Sequence, residues 1–123
     1  MASKNTHYIN AGRLEVYLEL LKTGIREICM PNYGAFKEKE LDYIDGGARK
    51  HGFRTILVTY NRTKIDGTKF KSYQRIIYRK NRREDVMLLR RKLQKVSKEK
   101  GDHEVIGKLF CYSKEAIAAF VNK

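Results

Sequence analysis

The sequence predicts a small α+β domain in which a β-hairpin lies between helical segments. Apolar residues recur at helical spacing near both ends of the chain, whereas residues 53–80 are rich in β-branched and aromatic residues. Within that region, Asp66 and Gly67 form a strong signal for a hairpin turn. We therefore expect the element order αβαββααα, with a three-stranded mixed sheet, a β-hairpin at residues 53–80 and a helical C-terminal third.

The length of the chain fits a single domain. It has 123 residues, of which residues 1–7 are expected to be disordered and residues 8–123 to form the domain. No apolar run approaches the roughly 20 residues that a bilayer requires. The N-terminal residues have no apolar core of a secretory signal, so we expect a cytoplasmic protein that does not enter a membrane.

Two helices and a short strand are predicted before the hairpin. The first helix covers "NAGRLEVYLELLKTG" and ends at Gly24, and "IREICMP" forms the strand. The second helix covers "AFKEKELDYIDGGARKHG", with Phe36 on its apolar face. Gly46 and Gly47 are unfavourable inside it, so either the helix breaks there or a neighbouring element packs closely against its backbone.

The hairpin strands differ in their patterns. The first, "FRTILVTYN", contains a continuous apolar run and is expected to be the central strand. The return strand, "KFKSYQRIIYRK", alternates with period two. One face is expected to be wet and cationic, and the other partly buried. The first face carries Lys71, Tyr73, Arg75, Ile77 and Arg79, and the second carries Phe70, Ser72, Gln74, Ile76 and Tyr78.

The remaining chain is predicted to be helical. Asn81 and Glu84 have the spacing of a capping box, and the helix that they begin is expected to end at Gly101. Its apolar stripe consists of Val86, Leu89, Leu93 and Val96. Two short helices then follow, with Asp102 and Ser113 as candidate caps. The last of them is too apolar to be the reading helix of a helix-turn-helix motif, so we expect it to pack in the core.

Positive charge is concentrated in the middle of the chain. Residues 49–100 contain 18 of the 27 Lys and Arg residues and only four acidic residues, which gives that segment a net charge of +14. The remainder of the chain has a net charge of −1. Such a segregated field of one sign is typical of a protein that binds an anionic partner.

A nucleic acid is the anionic partner that this pattern favours. The cations of the 64–80 hairpin region and of the 82–98 helix would contact phosphates, and Tyr73 could stack on an unpaired base. The predicted nucleic-acid-binding residues are Lys64, Lys69, Lys71, Tyr73, Arg75, Arg79, Lys80, Arg82, Arg83, Arg90, Arg91, Lys92 and Lys95. The choice between RNA and DNA is left open, as is the oligomeric state.

Three alternatives share the same surface. The lysines could simply protect an exposed strand edge. A metal-independent ribonuclease could use His51 as proton carrier, with Lys71, Tyr73 and Arg75 around the phosphate. A phage or host-interaction protein could use the cations to dock onto an acidic protein partner.

Neither a metal site nor a cofactor is expected. Cys29 and Cys111 lie far apart in apolar segments and are predicted to be small buried side chains. Four acids in the second helix are interpreted as a solvated acidic face rather than a metal-dependent nuclease centre. They are Glu38, Glu40, Asp42 and Asp45.

The segment "DHEVIGKLFCYS" resembles the end of an uncharacterised prokaryotic family, which has the pattern Asp-His-x-x-(Ile/Leu)-Gly-x-Leu-Leu-Gly-Tyr-Pro. The chain departs from that pattern at Phe110, Cys111 and Ser113. The resemblance covers about a tenth of the chain and implies a prokaryotic or phage setting, without a defined activity. The matching residues are Asp102, His103, Ile106, Gly107, Leu109 and Tyr112.

Overall fold

Four helices and three strands in the described part of the chain form the α+β domain that the sequence predicts. The computed structural model describes residues 4–31 and 35–110, and the side chains within those ranges from residue 14 onward. The last predicted helix lies outside the described residues. The elements are α1 (Lys4–Thr23), β1 (Ile28–Cys29), α2 (Asp42–Lys50), β2 (Arg54–Thr63), β3 (Lys69–Tyr78), α3 (Arg83–Gln94) and α4 (Lys100–Leu109).

The sheet is antiparallel throughout, so the expected mixed sheet is wrong. Its strand order is β1-β3-β2, and β3 pairs antiparallel with both neighbours. The two strands that run in the same direction, β1 and β2, are joined by a connection containing α2. They do not pair because β3 inserts between them.

The central strand is β3 rather than β2. Ile76, Ile77 and Tyr78 of β3 are all buried, although successive side chains point to opposite faces. In β2 only Val58 is buried, and Ile56 and Leu57 are half-buried. The apolar run of β2 indicated full burial correctly only at Val58. The run could not show that the outer edge of this strand has no strand neighbour among the described residues.

Helices cover both faces of the sheet. One core contains Leu14, Leu18 and Leu21 of α1, together with apolar residues of α2 and Ile77 of β3. On the opposite face, α3 packs on Ile76. Cys29 is fully buried in the first core, as predicted, and Cys111 lies outside the described residues. No helix in the described part of the chain is long and apolar enough to cross a membrane.

Three helix starts differ from the prediction. A 3-10 turn, Glu38–Leu41, precedes α2, so Phe36 lies before the helix and is 71% exposed instead of packing on its apolar face. A second 3-10 turn, Lys80–Arg82, leads into α3, where no side chain forms the expected cap. At the other end of the chain, α1 begins at Lys4 and therefore includes part of the segment expected to be disordered.

The junction between α3 and α4 also differs. Because α3 ends at Gln94, Val96 lies beyond the helix and is 88% exposed. Gly101 lies inside the first turn of α4 instead of ending α3. Asp102 belongs to a capping box with Glu99 at the start of α4, so its predicted capping role is confirmed in this form.

The two glycines of α2 lie in an unbroken helix. A Cβ atom at Gly47 would lie 3.0 Å from Cδ2 of Leu14 and 3.5 Å from Cδ1 of Leu18, whereas a Cβ atom at Gly46 would meet nothing within 4 Å. The alternative in which a neighbour packs against bare backbone is therefore confirmed at Gly47, where α1 approaches α2.

Matched alanine variants of these glycines should have different stabilities. We expect Gly46→Ala to raise the free energy of unfolding by up to about 1 kcal/mol, because alanine favours the helix and meets no neighbour. Gly47→Ala should not gain this stability, because Leu14 would have to move. Urea denaturation of both variants measures the difference, and an equal gain from both would contradict close packing at Gly47.

Candidate nucleic-acid interface

The outer part of the hairpin is the most exposed cationic element of the described structure. In residues 61–71 every residue except Phe70 is exposed, and we call this segment the hairpin arm. Gly67 has a φ of +88°, and its N–H donates to the carbonyl of Lys64 at 2.9 Å. Asp66 accepts a hydrogen bond from the N–H of Thr68 at 2.9 Å. These bonds form the turn that Asp66–Gly67 predicted.

The hairpin arm carries an excess of positive charge. It contains four cations and one acid, Asp66. Hydrogen bonds from Thr68 lower the pKa of Asp66, which keeps this carboxylate ionised. No salt bridge joins the cations of the arm to an acid within the described residues. These cations are Arg62, Lys64, Lys69 and Lys71.

Two phenylalanines lie at the base of the arm. The ring centroids of Phe36 and Phe70 are 6.0 Å apart at an interplanar angle of 48°, and Nζ of Lys64 lies 5.9 Å from the Phe70 centroid. An open cleft of about 530 Å³ extends from Phe70 to the exposed side chain of Val96. It is lined by Asn61, Arg62, Thr63, Lys69, Phe70, Lys71 and Val96.

Arg62 and Lys98 extend the positive field from the arm towards α4. The guanidinium of Arg62 lies 4.7 Å from the Tyr60 ring centroid, and its Nε donates to Oγ of Ser72 at 3.3 Å. Burial, followed by the charge of Arg62, lowers the pKa of Lys98. Burial also raises the pKa of Tyr60 to about 12, despite the opposing effect of Arg62, so the tyrosine does not neutralise these cations.

The strand face that was expected to be wet is covered by helices from Tyr73 to Arg79, whereas Lys71 on the same face is exposed. Arg75 forms an ion pair with Asp45 at 3.2 Å, and its side chain is only 16% exposed. Arg79 donates to the carbonyl of Leu21, at 2.6 Å from Nη2. Tyr73 packs against the α1–α2 core. Alternation placed these residues on one face correctly. The prediction that this face is solvated is wrong from Tyr73 onward, because α1 and α2 pack there.

The cations around α3 fall into two groups. Lys92 and Lys95 both contact Asp102, at 2.7 Å and 2.5 Å, and Arg82 lies 3.1 Å from Asp85 and 3.4 Å from Glu27. The other group forms no salt bridge within the described residues and consists of Lys80, Arg83, Arg90 and Arg91. The structure therefore separates cations that hold elements together from cations available to a ligand.

The residues suggested for a ribonuclease centre do not share one cleft. His51 lines an open cleft of about 540 Å³ with Lys22, Arg79 and Lys80. Arg75 lies four residues from Arg79 along β3, which corresponds to about 13 Å, and Tyr73 is two residues farther away. His51 thus lies near the end of β3 that is remote from the hairpin arm.

The acidic residues of the second helical region do not converge. Glu38, Glu40 and Asp42 are exposed, as expected for a solvated face. Asp45 is half-buried instead, where it accepts a hydrogen bond from Thr55 at 2.7 Å and pairs with Arg75. Among the described residues no group of three His, Cys, Asp or Glu side chains could hold a metal ion.

Three residues of the arm region are not among the predicted binding residues. The sequence places Phe36 on the apolar face of a helix, and the other two are Arg62 and Lys98. The predicted turn at Asp66–Gly67 indicates Arg62, because counting back from the turn along both strands pairs Arg62 with Phe70. No signal in the sequence indicates that Lys98 lies near Arg62.

No protein-family model matches the chain, and no curated protein or solved structure does either. The resemblance of residues 102–113 to a prokaryotic family therefore stays a prediction. Two residues of that pattern, Asp102 and Gly107, are buried in the fold. Tyr112 lies outside the described residues.

Proposed function

We propose that this protein binds nucleic acid, with the hairpin arm as its main phosphate-binding element. The observation that carries this proposal is the exposure of Arg62, Lys64, Lys69 and Lys71 on a two-stranded ribbon whose single acid is Asp66. A two-stranded ribbon is narrow enough to enter the major groove of a duplex or to lie along a single strand. The exposed cations of α3 are candidates for further phosphate contacts.

Phosphate contacts make a specific prediction about salt. Each phosphate that a lysine or arginine neutralises releases counterions, so the logarithm of the binding constant falls with the logarithm of salt concentration. The slope is about −0.9 per contact on duplex DNA and about −0.7 on a single strand. Four arm cations therefore predict a slope of about −3 or steeper.

A charge-matched pair of variants tests the location of the interface. We expect the triple variant Lys64→Ala, Lys69→Ala, Lys71→Ala to bind labelled oligonucleotides at least about tenfold more weakly at 0.1 M salt, and to lose about two units of salt slope. The control, Arg49→Ala, Lys50→Ala, Lys108→Ala, removes the same charge from exposed positions outside the arm. Fluorescence anisotropy over a salt series measures both quantities.

The outcomes distinguish the proposal from its alternatives. Equal losses from the two triple variants would mean that net charge, rather than the hairpin arm, drives binding. A wild-type protein that binds no oligonucleotide at low salt would overturn the proposal. Shortened RNA after incubation would favour the ribonuclease alternative, and capture of an acidic protein from nuclease-treated lysate without oligonucleotide binding would favour a protein partner.

A further inference from the structure

We propose that the ligand is single-stranded nucleic acid and that Phe36 is a platform on which one unpaired base stacks. This inference rests on the proposed function and names the class of nucleic acid that the same site takes. It arises from the exposed ring at the base of the hairpin arm.

The exposure of Phe36 is unusual for this domain. The residue is 71% exposed, whereas the other phenylalanines and the tyrosines with described side chains are half-buried or buried. Exposing a large aromatic ring to water forgoes the stabilisation that its burial would bring. Phe70 contacts one side of Phe36, with 6.0 Å between the ring centroids, and so supports the ring while much of it stays accessible.

The cations around Phe70, the ring that contacts Phe36, fit the remainder of a nucleotide. Lys64 lies near the Phe70 ring, and Arg62, Lys69 and Lys71 line the adjoining cleft. An aromatic ring flanked by a cationic groove is the arrangement by which proteins bind single strands, because the ring stacks on a base while the cations contact the backbone. Other exposed apolar residues, such as Val16 and Ile25, are aliphatic and offer no such ring.

The same chemistry disfavours an intact duplex at Phe36. In a duplex both faces of each base are already stacked on its neighbours, so an exposed ring on the protein gains a base only after unstacking. The arm cations can contact the phosphates of either form. Preference for a single strand over a duplex is therefore a property of Phe36 and not of the charges.

Conservative variants at this position separate stacking from folding and charge. Removal of an aromatic side chain that stacks on one base typically weakens binding by about 5-fold to 150-fold. We expect Phe36→Leu to bind oligo(dT) and oligo(U) more weakly than the wild type by a factor within this range. Phe36→Tyr should keep the affinity of the wild type, because tyrosine retains the ring. The control variant is Ile25→Ala, which changes an exposed apolar residue on the α1–β1 connection. This variant should bind as the wild type does. Duplexes of equal length should bind Phe36→Leu and wild-type protein equally well.

The failure of this inference differs from the failure of nucleic-acid binding. If Phe36→Leu and wild-type protein bind single strands equally while the arm lysine variant loses affinity and salt slope, the stacking platform is wrong and the phosphate interface stands. If Phe36→Leu weakens duplex binding as much as single-strand binding, Phe36 has a structural role and the inference is overturned. Comparison of oligo(dT) with oligo(U) shows whether the site takes DNA, RNA or both.

Discussion

Replacement of Asp102 by alanine is expected to lower the melting temperature by several degrees. Its carboxylate accepts bonds from Lys92 and Lys95, and from the backbone N–H of Glu99 at 2.9 Å. The residue is only 3% exposed. Alanine would leave two neighbouring ammonium groups without their shared counter-ion and the first turn of α4 without half of its capping box. Thermal unfolding followed by circular dichroism at pH 7 measures the effect.

The same carboxylate should make stability depend on acid. The hydrogen bond from Lys92, followed by those from Lys95 and the N–H of Glu99, lowers the pKa of Asp102 well below its usual range. A carboxyl with a lowered folded-state pKa stabilises the fold fully above the unfolded-state value of about 3.9, and that contribution is lost as the pH falls towards the lower folded-state value. Wild-type stability should therefore fall more steeply below about pH 4 than that of Asp102→Asn.

A second carboxylate provides the control for the acid experiment. Asp66 also has a lowered pKa, but it lies in the exposed turn of the hairpin arm, and asparagine can still accept the hydrogen bond from Thr68. Because Asp66 is exposed and has no salt bridge within the described residues, we expect Asp66→Asn to change the acid profile much less than Asp102→Asn does. An acid profile of Asp102→Asn that matches the wild type would show that the α3–α4 junction does not depend on this charge.

Local sequence patterns predicted the elements because the physics that selects them is local. Asp66–Gly67 specified a turn, and period-two alternation sorted the side chains of β3 into two faces correctly. Strand order and coverage depend instead on contacts between distant segments. The insertion of β3 between β1 and β2 was not evident from any one strand.

In the candidate site, too, local patterns predicted some features and contacts between distant segments decided others. Exposure of Lys64, Lys69 and Lys71 followed from their place around a turn. Arg75 and Arg79 have the same residue type and spacing as a phosphate-binding pair, yet one pairs with Asp45 of α2 and the other contacts α1. Ile77, which lies between them on the same face and is fully buried, was the local indication that helices cover this part of the strand.

Replacement of Arg79 by alanine is expected to lower the free energy of unfolding by about 1–3 kcal/mol. Its guanidinium donates to the carbonyl of Leu21 from Nε at 3.0 Å and from Nη2 at 2.6 Å, and to the carbonyl of Lys22 at 3.2 Å. These carbonyls lie in the last turn of α1, where the regular donors four residues later are missing, and the carbonyl of Leu21 also accepts from the N–H of Gly24 at 3.3 Å. Arg79 therefore joins the central strand to the end of α1.

The neighbouring residue provides a matched control for Arg79. Lys80→Ala removes the same charge from an exposed side chain, so its effect on stability should stay within about 0.5 kcal/mol. Arg79→Lys keeps the charge but cannot reproduce the three-bond fork, and should recover only part of the loss. Urea denaturation of the three variants measures the free energies.

Binding by the same variants shows which role Arg79 has. If its cation serves mainly to hold α1, folded Arg79→Ala should bind single strands within about twofold of Lys80→Ala, since each variant lacks one positive charge near the same cleft. A tenfold weaker affinity for Arg79→Ala with unchanged stability would instead move the interface from the hairpin arm to the cleft beside His51. Removal of a cation that holds two elements together lowers the stability of the protein. Removal of a cation that binds the ligand instead lowers the affinity and its dependence on salt.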